Sequence, residues 1–478
     1  MSAGSVLFPP GPTREQIDND LTRELARADE RVAAGSATPT LDMAAFAREL
    51  AAFDFETPRA LPELLAWSIR TLESGVVHMT HPRYFGLYNP KPNFPAQCAD
   101  RIVGTFNPQL ASATTSPAAV ALENHVIAAV ARRAGLPDGS GGHFTSGGSE
   151  ANFTALLCAL TRREPAYAAA GARAFTGMPV FYVSKESHRS WEKIAHQSGV
   201  GREAVRLVAT DGGGRMNASV LGRLIEADLA AGHVPIMIVA TAGTTNAGTI
   251  DPLQECAELA RRHGLWLHVD AAWGGAAVAS ERLRPVLAGI DRADSATIDA
   301  HKWFATTMGC GMFLIRDTRL LSRVFHADAT YMPSHELSAD PYVNSLQWSR
   351  RFLGLRLFMA LAAAGWQGYA AHVERAVSHT AEIKRRLLAR GWSVLNDSPL
   401  AVLVVTPPPE LGTPGAVVGR ILKSGAAWVS VARFEEQDVI RICVTHGETS
   451  DEDVALLVDA LHPLSTPAHS DPASIPAS

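Results

Sequence analysis

Cysteine is scarce in this sequence: five in 478 residues, Cys98, Cys158, Cys256, Cys310 and Cys443, with no CxxC pair. That argues against a disulfide framework and points to buried free thiols in a reducing cytoplasm. Basic blocks are missing as well. The net charge is −5, and no basic–aromatic interleaving occurs, which speaks against nucleic acid as the main partner. Long apolar runs are absent, and Pro235–Ala242 is too short to span a bilayer, so no membrane partner is expected. Met1–Thr13 lacks the basic start and apolar core of a signal peptide. No repeat recurs at solenoid or propeller periods.

What is present reads as a globular chain, 47% hydrophobic and 19% charged. Its length asks for more than one unit. Helical patterns cover Arg14–Ala34, Leu41–Phe53 and Pro62–Ser74. A Pro-rich stretch, His81–Pro95, follows, and its tight turns and exposed aromatics suit a pocket wall. Helical stretches (Ala118–Ala134, Glu150–Thr161, Val220–Ala231, Leu253–His263) then alternate with short apolar runs. These runs are Val180–Val183, Ala204–Val208, Ile236–Thr241, Leu265–Val269, Ser295–Ile298 and Gly311–Ile315. Such alternation indicates an α/β domain with a mostly parallel sheet covered on both faces. An amphipathic region, Leu353–Arg390, precedes strands Ala401–Val405, Ala427–Val431 and Val439–Val444 and helices Pro414–Ser424 and Asp451–Leu461. The expected organisation is a helical segment 1–90, a large α/β domain 91–365, a small α+β domain 366–464 and a disordered tail 465–478.

Ligands of open α/β sheets bind at the carboxyl ends of strands, and four predicted strand ends carry polar residues. Ser146-Gly147-Gly148-Ser149-Glu150 turns a strand into a helix. It reads as a phosphate cradle or as an ordinary turn with Ser149 as N-cap, and it fits neither GxGxxG nor the P-loop. His268-Val269-Asp270 places two polar residues on one face of a strand. A metal pair lacks a third ligand. The remaining readings are a structural acid or a carboxylate paired with a cofactor nitrogen. Asp299-Ala300-His301-Lys302-Trp303 ends another strand in a lysine. Alone, Lys302 reads as a surface residue snorkelling past Trp303; beside Asp270 and the glycine turn it reads as a nucleophile. His188, in Ser187-His188-Arg189-Ser190, is either structural or a ring that stacks on a planar ligand.

From His81 to Leu461 these motifs resemble the group II pyridoxal-phosphate (PLP) decarboxylases of fold type I, which include the aromatic-L-amino-acid, glutamate, histidine and diaminobutyrate decarboxylases. Asp299-Ala300-His301-Lys302-Trp303 is similar to the family's segment around its Schiff-base lysine, and His268-Val269-Asp270-Ala271-Ala272 to the segment of its pyridine-pairing acid. The resemblance implies a large mostly parallel sheet of the seven-stranded type with helices on both faces. It implies Lys302 as the PLP anchor and Gly147, Gly148 and Ser149 as the phosphate turn. It also implies His188 stacking on the ring opposite Ala272, Thr245 near the ring hydroxyl, and Asp299 and His301 near the phosphate. A carboxylate beside a phosphate is unfavourable unless compensated, so Asp299 is alternatively an orderer of the turn.

Tyr331, in Ala329-Thr330-Tyr331-Met332, resembles the tyrosine that protonates the substrate α-carbon. With His188 it favours simple decarboxylation over amine transfer or decarboxylation-coupled oxidative deamination. A non-catalytic PLP-binding relative is the third reading. Tyr84, Phe85, Leu87 and Tyr88 are expected to line the substrate pocket, which makes an aromatic L-amino acid the first expectation. Leu87 stands where animal aromatic decarboxylases have tyrosine and Ala113 where they have tryptophan, and both departures open the pocket. Arg441 resembles an arginine that faces the substrate carboxylate, or is a structural ion-pair partner. Relatives are homodimers, so a cytoplasmic homodimer is expected.

Overall fold

The structure is a computed structural model that describes residues 6–326 and 340–463. Tyr331 and the tail 465–478 lie outside the described residues.

Seven strands form the large sheet: β1 (Gly141–Thr145), β2 (Pro179–Ser184), β3 (Val205–Val208), β4 (Val234–Thr241), β5 (Trp266–Asp270), β6 (Ser295–Asp299) and β7 (Gly311–Ile315). Their order is β1-β7-β6-β5-β4-β2-β3. Strands β6, β5, β4, β2 and β3 run parallel, and β7 lies antiparallel between β6 and β1. The central strands are apolar without alternation because both faces are covered. On β2, Phe181 and Val183 pack with Ala151, Ala155 and Leu156 of helix Gly148–Arg163. Their neighbours Val180 and Tyr182 face the opposite layer.

Register fixes where the polar ends meet. Thr145 pairs with Gly311 and Gly311 with Asp299; Thr297 pairs with Asp270 and Asp270 with Thr241. Two reversals of direction, through β7, bring the end of β1 to the same edge as the ends of β4, β5 and β6.

A second, antiparallel sheet has the order β10-β11-β9-β8, from β8 (Ser393–Val394), β9 (Val402–Thr406), β10 (Ser430–Phe434) and β11 (Gln437–Cys443). The expected strand Ala427–Val431 is displaced to β10. The reason lies in the Pro-rich stretch: Trp428 N donates to Arg83 O and Phe85 N to Trp428 O, so this residue pairs there instead. Gly86 permits the approach, since a Cβ on it would fall 2.0 Å from the Trp428 ring. The aromatics expected to be exposed in this stretch divide: Tyr84, Phe85 and Tyr88 are buried, which corrects the expectation for them, while Phe94 is exposed. Helix Phe94–Phe106, capped by the Asn93 side chain, was hidden by Pro95 in its first turn. The long C-terminal helix, Gly354–Leu388, is interrupted at Gly365, where φ is 64°.

Four histidines, three buried and His372 half-buried, give the fold a pH limit. Burial lowers His81, His268 and His372 to about 4 and His143 to about 3, from 6.5. As pH falls, the unfolded chain protonates these rings before the folded chain does, so their contribution is complete above about 6.5 and lost toward about 4. Asp251, pushed up to about 7 by burial, works in the opposite sense together with Glu123 and Glu186, but His188, His301 and His446 are lowered as well, so the histidines outnumber the carboxyls. The melting temperature of the cofactor-free protein is expected to fall steadily from about pH 7 to about pH 4; a level profile contradicts this.

Candidate active site

The lysine turn sits at the centre of the shared edge. Lys302 follows β6 by three residues, and its Nζ lies 3.0 Å from Asp299 Oδ2. Asp299 is 2% exposed, and its Oδ1 has no hydrogen-bond partner among the described residues. The turn is strained at Ala305, whose φ is 52°. It is held from outside by Asn93, which donates to Ala305 O from its backbone N at 2.7 Å and from Nδ2 at 2.8 Å. His301 is anchored at Cys310 through Nδ1, and its Nε2 lies 3.8 Å from Asp299. Burial lowers the His301 pKa, with Asp299 opposing.

The glycine turn faces Asp299. A Cβ on Gly148 would come within 2.9 Å of Asp299 Oδ2 and 3.4 Å of the Ala272 Cβ, so only glycine fits there. The helix starts at Gly148, with Gly147 as N-cap and no side-chain capping bond. Ser149 is therefore inside the first turn, and the alternative of Ser149 as N-cap is corrected. The unclaimed N–H groups of this first turn are a ready anion site.

Asp270 ends β5 and is buried. Its Oδ2 accepts from Asn152 Nδ2 at 2.8 Å, and its Oδ1 from Ala272 N at 3.2 Å. His188, after β2, is exposed to solvent on one side; Ser190 N donates to its Nδ1 at 3.2 Å, and Ser190 Oγ lies 2.8 Å away. Burial of the rest of the ring lowers its pKa, an effect countered by Asp270 and reinforced by Lys302. That electrostatic coupling puts His188, Asp270, Asp299 and Lys302 in one neighbourhood. Thr245, half-buried, presents its carbonyl to Tyr88 Oη at 2.9 Å.

The expected pocket-wall residues divide. Tyr88 lies with its ring centroid 5.9 Å from Lys302 Nζ and is backed by Trp273 at 4.6 Å, itself stacked on Trp303 at 4.8 Å. Leu87 is exposed. Tyr84 instead stacks on Trp428 and bonds Leu87 N, and Phe85 is fully enclosed in the core. Arg441 is buried and makes no ion pair among the described residues, which corrects the ion-pair alternative. Its Nε donates to Thr245 O at 2.9 Å, its Nη1 to Gly86 O, and its guanidinium lies 4.4 Å from the Tyr88 centroid. Sequence reasoning missed Asn93, Asn152 and Thr297. The available signal was Asn152, a poor helix former inside an otherwise apolar helical stretch.

Residues 51–404 match the sequence profile of the pyridoxal-dependent decarboxylase conserved domain. The chain belongs to this family. Among curated proteins it is 28% identical over 405 residues to an aromatic-L-amino-acid decarboxylase of Bacillus atrophaeus, covering 82% of this chain and 83% of that one. It is 36% identical over 328 residues to a cysteine sulfinic acid decarboxylase of Mus musculus, covering 66% of each. The crystal structure of mouse CSAD in apo form superposes with a TM-score of 0.88 at 26% identity, over 95% of this chain and 98% of that one. This decarboxylase is thus a PLP-dependent carboxy-lyase acting on an amino acid, with a fold type I architecture.

The donor set fits PLP: a primary amine, an uncapped helix start closed in by a glycine, and a buried carboxylate with one oxygen lightly used. Asn93→Ala is expected to lower unfolding free energy by about 2 kcal/mol and to weaken PLP retention, because the turn bearing Lys302 loses its outer clamp. Denaturant titration and gel filtration with cofactor quantitation check this; unchanged retention contradicts it.

Proposed function

We propose that this decarboxylase converts an aromatic L-amino acid to its amine and CO2, with Lys302 carrying PLP covalently. PLP supplies the electron sink for the pair left on the α-carbon when CO2 departs. The helix start at Gly147, Gly148 and Ser149 holds the phosphate, with His301 beside it. Asp270 keeps a proton on the ring nitrogen, and His188, Thr245 and Ala272 contact the ring. Asp299 fixes the Lys302 amine and is compensated by it. Tyr331 delivers the proton to the α-carbon.

The observation that carries the substrate reading is the wall beside Lys302. It contains the Tyr88 ring, 5.9 Å from Lys302 Nζ, while two nitrogens of Arg441, whose guanidinium lies 4.4 Å from that ring, are taken up by backbone carbonyls. A second reading, an acidic side chain, is favoured by Arg441 Nη2, which is buried without a partner among the described residues. The likeness to a cysteine sulfinic acid decarboxylase points the same way. A panel of L-amino acids, followed by CO2 and amine, separates the two. Aromatic substrates are expected to lead by about tenfold or more in kcat/KM, and Arg441→Met to lower all substrates alike. Preference for cysteine sulfinate, lost selectively in Arg441→Met, establishes the second reading instead.

Tyr331→Phe is expected to cut amine formation by about a hundredfold and to yield aldehyde and ammonia with consumption of dioxygen. Undiminished amine formation removes Tyr331 from the reaction.

We also infer a cytoplasmic homodimer. All five cysteines are free. Helices Met43–Ala51 and Leu61–Gly75 bury no residue, and Gly11–Ala34 buries only Ala28. Leu25, Leu50, Leu72, Ile102 and Phe106 are exposed on this N-terminal part of the chain, more apolar surface than a lone subunit is expected to show. Sedimentation at micromolar concentration is expected to give twice the chain mass, and Phe106→Asp to shift it toward one; a wild-type monomer contradicts the inference.

A further inference from the structure

His268 shares a strand with Asp270, yet the reaction as proposed leaves it without a task. It is fully buried, as are Ser295 and Thr297, and Asn152 is 2% exposed. These groups form a continuous line. Trp266 Nε1 donates to Ser295 Oγ at 2.8 Å, and Ser295 Oγ lies 2.8 Å from His268 Nδ1. His268 Nε2 lies 3.1 Å from Asn152 Oδ1, and Asn152 Nδ2 donates to Asp270 Oδ2 at 2.8 Å. Thr297 Oγ1 also donates to Asn152 Oδ1, at 2.7 Å.

The ends of this line set its direction. An indole N–H can only donate, and an ionised carboxylate can only accept. Asp270 takes the Asn152 amide N–H, so Asn152 Oδ1 faces His268 and accepts the proton on Nε2. His268 Nδ1 is then left to accept from the Ser295 hydroxyl, which itself accepts from Trp266. Every donor in the line faces Asp270. Burial, which lowers the His268 pKa to about 4, leaves one ring proton at neutral pH and so one tautomer.

We propose that His268 and Asn152 are positioning residues for the cofactor: they occupy Asp270 Oδ2 and so present Oδ1 to the ring nitrogen of PLP. The inference rests on the reading of Asp270 as the ring-nitrogen partner. It gives His268 a role through Asp270 in place of the metal pair that its spacing suggested.

The test titrates cofactor-free protein with PLP and with its 1-deaza analogue, in which carbon replaces the ring nitrogen. Asn152→Ala and His268→Leu are expected to weaken PLP binding about tenfold or more and to change binding of the analogue by less than about twofold. His268→Gln, whose amide can still donate to Asn152, is expected to restore most of the PLP affinity. If both ligands weaken equally, the line is merely structural and the inference falls while the reading of Asp270 stands. If the wild type binds PLP and the analogue equally, the reading of Asp270 itself fails. Nitrogen-15 spectra of the histidine rings in the wild-type protein decide the geometry even where a variant does not fold: an Nε2–H tautomer for His268 is expected, and an Nδ1–H tautomer overturns the proposal.

Discussion

Asp299 is a carboxylate with 2% exposure whose charge is met by one cation, Lys302, at 3.0 Å. A buried charge left without its partner costs about 3–5 kcal/mol, so neither group can be removed cheaply. Much else follows from this pair. Gly148 must be glycine because Asp299 fills the space a Cβ would take. The turn closes through Lys302 N donating to Asp299 O at 3.2 Å, which returns Lys302 toward the carboxylate, and the left-handed Ala305 with its Asn93 clamp fixes how the chain leaves it. In the cofactor-free protein the pair also compensates the charge of Asp299.

The second constraint is the direction of the strands. With β4, β5 and β6 parallel, and β1 brought into the same sense by the reversed β7, four polar ends meet at one edge. The wall of the cleft comes from elsewhere. Arg441 on β11 reaches the carbonyls of Gly86 and Thr245, so the small sheet, the Pro-rich stretch and the loop after β4 are joined through one guanidinium lying on Tyr88. A cation on an aromatic face in a desolvated setting contributes about 2 kcal/mol, and here it holds the wall upright beside Lys302.

The large sheet was legible because burial on both faces leaves strands as unbroken apolar runs; Gly311–Ile315 and the helix Leu253–His263 were read to the residue. Lys302, Asp270 and the glycine turn were legible because each stands where an apolar run ends. Partner choice was not legible. Period-two patterning marks Ala427–Val431 as strand-like but cannot tell that Trp428 pairs with Arg83 and Phe85 in place of β11. Aromatics in a Pro-rich stretch look exposed, yet Tyr84 and Phe85 are packed inward by that same pairing. Asn152 and Asn93 act across long sequence separations, on Asp270 and on Ala305, which no local pattern encodes.

The central claim is that Lys302 is the residue to which PLP is joined. Borohydride reduction of the PLP-loaded enzyme, followed by proteolysis and mass spectrometry, locates the pyridoxyl group directly. The account predicts the label on the peptide containing Asp299-Ala300-His301-Lys302-Trp303, at Lys302. Label on any other lysine, or none on a protein that still decarboxylates amino acids, would contradict it.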